Sequence, residues 1–135
     1  MANLRLDQLA GTWVLEPTTS RLNSQPPLQW VQHVVVRRNR LLVREEIQRE
    51  GISIVVEVDA QVDGTFYPVT GTIIADEIAY RLDGESLEGI GRCEGSPAFR
   101  ERLSINASGE LVIELHVQAG RRELPVGAAH FKLQA

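Results

Sequence analysis

What this chain lacks excludes most of the chemistry available to a small protein. It has one cysteine, Cys93, in 135 residues, so no internal disulfide can form and no metal cluster can be assembled from thiolates. A lone cysteine of this kind reads as a small buried apolar residue. Positive charge is also short. The formal net charge is −4, whereas nucleic-acid binding wants a basic stripe. The one basic cluster, Arg37, Arg38 and Arg40 around Asn39, reads as a solvated turn. Lysine is nearly absent and arginine outnumbers it 13 to 1, a trait of GC-rich bacterial genomes rather than a mechanism. No apolar run approaches the roughly 18 residues that span a bilayer. Residues 1–7 show no basic head followed by an apolar stretch. The expectation is therefore a cytoplasmic monomer or homodimer, or an exported protein if a signal peptide has been removed.

Catalytic signatures are missing as well. There is no Gly-x-Ser-x-Gly elbow, and no Gly-rich phosphate loop of the Walker or dinucleotide type. The glycines between Gly84 and Gly95 read as strand and turn glycines. No closely spaced His or Cys pair offers the three or four convergent ligands that zinc or iron needs. Neither a metal nor an organic cofactor is expected.

What is present is a regular sequence of turns. Arg38-Asn39, Glu50-Gly51, Asp63-Gly64, Thr70-Gly71, Asp83-Gly84, Glu94-Gly95, Ser108-Gly109 and Ala119-Gly120 punctuate segments of alternating apolar and polar residues, the pattern of an antiparallel meander. Ten strands are predicted: 11–16, 28–37, 41–49, 52–62, 65–69, 72–82 (with a break near Asp76), 86–93, 98–105, 110–118 and 126–134. Closing such a meander removes its exposed edges. With 43% hydrophobic residues, the chain has mass for one core but not two. The prediction is all-β: a single antiparallel barrel of about ten strands, eight to ten, in one domain covering 1–135. The polar stretch 17–27, with three prolines, has room for one short helical turn capped by Thr18 or Thr19, but not for a two-helix lid.

Two strings carry a resemblance. Gly11-Thr12-Trp13-Val14-Leu15-Glu16, followed by Thr19-Ser20-Arg21-Leu22, and Tyr67-Pro68-Val69-Thr70-Gly71, preceded by Asp63-Gly64, are similar to the first strand and an internal signature of bacterial lipocalin-like proteins, a branch of the calycin barrels. The strand count is closer to the fatty-acid-binding type. The resemblance implies that Trp13 closes one end of the barrel against a basic side chain from a late strand; Pro68 and Gly71 fit a strand end followed by a turn, so the Tyr67–Gly71 string reads as architectural.

Strand periodicity sorts the side chains into an inner and an outer set. Leu28, Trp30, Gln32, Val34 and Val36 are expected to point inward, as are Leu41, Val43, Glu45 and Ile47, and Ile52, Ile54, Val56 and Val58. The inward set continues with Ile78, Tyr80 and Leu82, then Phe99, Glu101, Leu103 and Ile105, then Leu111, Ile113, Leu115 and Val117, then Gly127, Ala129, Phe131 and Leu133. His33, His116 and His130 fall on outer faces, which leaves no inward histidine as a base. Leu87, Gly89, Gly91 and Cys93 share a face. Two glycines there either leave space beside Glu101 for a ligand or mark a barrel corner. The expected ligand-binding residues are Trp30, Gln32, Glu45, Tyr80, Gly89, Gly91, Glu101 and Phe131, an apolar lining with a few polar groups.

The inner glutamates are the sharpest chemical feature. An unpaired buried carboxylate is costly, and burial raises its pKa toward neutrality. Glu45 and Glu101, with Tyr80 as hydrogen-bond donor, are candidate acid/base residues. A register slip would instead pair them with Arg44, Arg100 or Arg102, or turn Arg100 and Arg102 inward to bind a carboxylate. The first reading is a binding protein for a small, mainly apolar or amphipathic molecule. A cofactor-independent isomerase or cyclase using an inward glutamate is the second. An interaction module with a side-chain-filled barrel is the third.

Overall fold

The computed structural model describes residues 3–23 and 25–134. Alternating segments between closely spaced turns form β1 (Gly11–Leu15), β2 (Arg21–Leu22), β3 (Gln29–Arg37), β4 (Arg40–Arg49), β5 (Ile52–Gln61) and β6 (Phe66–Thr70), followed by β7 (Glu77–Asp83), β8 (Ser86–Cys93), β9 (Ser96–Ile105), β10 (Leu111–Ala119) and β11 (Arg122–Leu133). All eight turn pairs read from the sequence fall at strand junctions. From β3 to β11 each strand pairs antiparallel with the next, and β1 pairs with both β3 and β11. Ten strands thus close a ring with no free edge, which is what keeps a chain of short strands from pairing with a neighbour. The two-residue β2 adds to β11 alongside Gly127 and Ala128.

One end of the barrel is plugged. A 3-10 turn at Leu6–Leu9 buries Leu6 and Leu9, and Leu4 joins them after donating its backbone N–H to the Gly84 carbonyl. Each such leucine stabilises the fold by about 1.5–3 kcal/mol relative to exposure. The buried Trp13 indole donates to the Leu9 carbonyl at 2.9 Å. Trp13 does close an end of the barrel, but its polar partner is this backbone oxygen. The late-strand base, Lys132, lies instead 3.5 Å from Glu16. Above this plug, Phe131, Leu41, Leu87, Leu111 and Ile78 are fully buried, and Trp30 meets Phe131 edge to face at 5.1 Å.

Three expectations need correction. The strand predicted over 72–82 begins only at Glu77, because residues 71–76 leave the sheet as a loop with Ile73 97% and Ile74 60% exposed. Among the described residues of 17–27 no helical turn forms; a tight turn at 17–19 leads into β2. Leu28 precedes β3 and is 71% exposed, and Ile52, Leu82 and Leu133, at strand ends, are exposed rather than internal. Alternation assigns a side but not a depth, and a residue at the rim of a barrel meets solvent whichever side it takes.

The Tyr67–Gly71 string turns out to be a joint. Tyr67 donates its hydroxyl to Asp63 at 2.8 Å, Val69 donates its backbone N–H to the Asp76 carbonyl, and Pro68, which has no N–H, sits opposite Glu77. Gly71 has φ +90, and a Cβ there would lie 1.7 Å from the Val55 carbonyl oxygen. β6 makes only two registered pairs with β5, Glu57 with Thr70 and Val58 with Val69. Beyond them the wall is completed by the loop, not by a strand.

Candidate functional site

The barrel interior holds a cavity of about 310 Å³, within the range of small-molecule sites. Its wall is mainly aliphatic, drawn from Val34, Leu41, Val43, Ile54, Val56, Ile78, Leu103 and Ile113 among others. Trp30, Gln32, Glu45, Tyr80 and Glu101 also line it, so five of the eight residues predicted to bind ligand line one cavity, and Arg49 and Thr72 add further polar groups.

The other three lie beside it. Phe131 is fully buried behind Trp30. Gly89 and Gly91 are buried beneath side chains from the flanking strands, and the registers explain why. Tyr80, Gly89 and Glu101 are opposite one another on β7, β8 and β9, as are Ile78, Gly91 and Phe99. A Cβ on Gly89 would come within 3.0 Å of both Tyr80 and Glu101, and one on Gly91 within 2.1 Å of Phe99. The space the glycines leave is therefore used by the protein itself: it lets Tyr80 and Glu101 meet across the intervening strand.

The electrostatics follow from this packing. Glu45 accepts a hydrogen bond from the Trp30 indole at 2.5 Å and another from Gln32, its cross-strand neighbour. Burial pushes the Glu45 carboxyl up and these two bonds oppose it. Burial also pushes Glu101 up, to about 8, and the negative charge of Glu45 adds to the rise, while the hydrogen bond from Tyr80 pulls against it. Tyr80 is held well above its ordinary value by burial, then by the two carboxylates. Both glutamates are half-buried, since they border the cavity while protein encloses their other sides.

The arginines adjacent to Glu101 point the other way. Arg100 pairs with Glu123, and Arg102 lies 3.5 Å from Glu88 on the outer surface, in a separate recess of about 220 Å³ that also contains Glu114 and His116. The glutamate face of this strand is thus the inner one. His33 pairs with Glu46 at 2.8 Å and His130 with Glu110 at 3.4 Å, both away from the cavity wall. Among the described residues no group of three or more His, Cys, Asp and Glu is placed to hold a metal.

Several lining residues escaped the sequence reading. Arg49 continues the inward alternation of β4 to the last residue of the strand, and Thr72 and Ile74, predicted within a strand over 72–82, line the cavity from the loop before β7. Val126 joins the lining because the β10–β11 register shifts between Leu115 and His116, a bulge that periodicity does not reveal. Leu22 and Pro27, from the irregular segment after β1, carry no periodic signal.

A closed ten-strand antiparallel meander barrel with almost no helix has the fold of the fatty-acid-binding and lipocalin-like barrels. Among solved structures the chain is similar to zebrafish ileal bile acid-binding protein complexed with cholic acid, with a TM-score of 0.64 and 13% identity over 94% of this chain and 99% of that one. At that identity the likeness is one of fold. No protein-family description and no curated protein matches the sequence. Among the described residues no helix is long and apolar enough to cross a membrane.

Proposed function

We propose that this protein binds a small, mainly apolar or amphipathic molecule inside the barrel, as a member of the bacterial lipocalin-like branch of the calycins. The observation that carries the reading is the cavity of about 310 Å³ with a mainly apolar wall and a few polar side chains. A barrel filled by its own side chains, as an interaction module would have, leaves no such space. The bile acid named with the structural neighbour adds a precedent for ligands in this fold. One domain, acting in the cytoplasm without a cofactor, completes the proposal, and the single half-buried Cys93 suits a reducing compartment. Titration with the neutral fluorophore N-phenylnaphthylamine tests it: one site per chain is expected, weakened about tenfold by filling the wall with Leu115→Phe. Equal binding by the variant would place the probe outside the barrel and overturn the reading.

A second reading rests on Glu101. A carboxyl titrating near 8 and bonded to Tyr80 is poised to exchange a proton with a bound molecule near neutral pH. An isomerase or cyclase with Glu101, Glu45 and Tyr80 as its acid/base groups needs nothing further. In deuterium oxide, the protein should then accelerate deuteration of a long-chain methyl ketone next to its carbonyl, and Glu101→Gln should not. A wild-type rate equal to that of buffer leaves binding alone.

A further inference from the structure

Apart from Arg49 at the end of β4, the charged side chains that line the cavity are of one sign. Glu45 and Glu101 face the cavity, and among the described residues that line it the only cation is Arg49, at the end of β4, where its guanidinium donates to the Gln25 carbonyl at 3.1 Å. Other arginines are taken up outside: Arg40 by Asp59, Arg92 by Glu77 and Arg100 by Glu123. The two glutamates also stand on opposing walls. In the ring order β1, β3 to β11, the strands carrying them, β4 and β9, are five places apart out of ten.

We infer that the cavity selects amphipathic amines over fatty or other organic acids, with the ligand's ammonium group held by Glu45 and Glu101 and its hydrocarbon against the aliphatic wall. The inference rests on the binding reading above and names its ligand class. Glu45 already receives one donor from Trp30 and one from Gln32, and Glu101 one from Tyr80. Both side chains border the cavity. A primary ammonium carries three N–H donors and a positive charge, so its arrival favours release of the proton that Glu101 holds at neutral pH and lets both carboxyl groups accept charge-assisted bonds from it. A carboxylate ligand brings a further negative charge into a poorly solvated space that already holds two acidic groups. An alcohol fits the hydrogen bonding but not the charge. The effect of Glu45 on the protonation of Glu101 agrees with their sharing one space.

The experiment is calorimetric titration at neutral pH with three probes of equal chain length, decylamine, decanol and decanoate. Decylamine should bind at least about tenfold more tightly than either of the others. In the Glu45→Gln, Glu101→Gln double variant that advantage over decanol should collapse. Decanoate binding as well as decylamine overturns the inference, on the wild-type protein alone and whatever the folding of the variant. An amine advantage that survives in a folded double variant traces to surface carboxylates and overturns it too. If decanol binds but the amine gains nothing, only the choice of ligand class falls. If none of the three binds, the binding reading falls with it.

Discussion

Glu101 shows most directly how one residue's surroundings set its chemistry. Burial, the charge of Glu45 and the opposing Tyr80 bond leave its carboxyl titrating at about 8 in the folded chain, well above the ordinary carboxylate range that applies when the chain unfolds. Between those two values the folded state holds a proton that the unfolded state has lost. The group's contribution to stability is complete below the ordinary range and is lost as pH rises through about 8. The melting temperature should therefore rise on lowering the pH from about 8 toward about 5, and Glu101→Gln, which cannot ionise, should flatten that rise. Thermal melts of both proteins across this window check it, and parallel curves would mean that Glu101 ionises freely. The difference between the two proteins isolates Glu101 from the histidine pairs His33–Glu46 and His130–Glu110, which both retain. Gly89 matters at the same scale, since any side chain there would push Tyr80 and Glu101 apart.

Among the elements, β6 and the loop after it are where the barrel departs from a uniform wall. β5 and β6 share two residue pairs, and residues 71–76 then pass so close to β5 that only a glycine fits at position 71. Gly71→Ala combines an unfavourable positive φ with a Cβ driven into the Val55 carbonyl. It should destabilise the protein by about 3 kcal/mol, measured by denaturant unfolding, with ligand binding weakened because Thr72 and Ile74 border the cavity. A loss below about 0.5 kcal/mol, the size of an ordinary surface substitution, would show that the loop does not depend on this close approach. The same loop explains the misplaced start of β7. Ile73 and Ile74 have the composition of a strand, but the backbone at Gly71 has already turned out of the sheet, and β-propensity yields to that geometry. Among the described residues of the adjoining segment 16–28 there is no helix, and Leu22 and Pro27 border the cavity directly.

For the whole molecule, closure of the ring is what turns a list of strands into a site. The sequence by itself determined the all-β class, the eight turns, nearly every strand and the side on which Trp30, Gln32, Glu45, Tyr80 and Glu101 lie, because turn residues and period-two alternation are local properties written residue by residue. It also placed Trp13 at a barrel end, through likeness to related barrels rather than through physics. Only the tertiary structure decided what those inward residues meet. Glu45 and Glu101 are 56 positions apart in sequence, and no local signal says that the strands bearing them oppose each other across a ring. Whether the space beside Gly89 and Gly91 would be empty or filled depended on the register of β7, β8 and β9, which brings Tyr80, Glu101 and Phe99 over it. The depth at which each strand end meets solvent, the bulge that turns Val126 inward and the carbonyl that receives the Trp13 indole were decided there too. Each depends on contacts between distant segments, and those contacts exist only once the last strand has closed on the first.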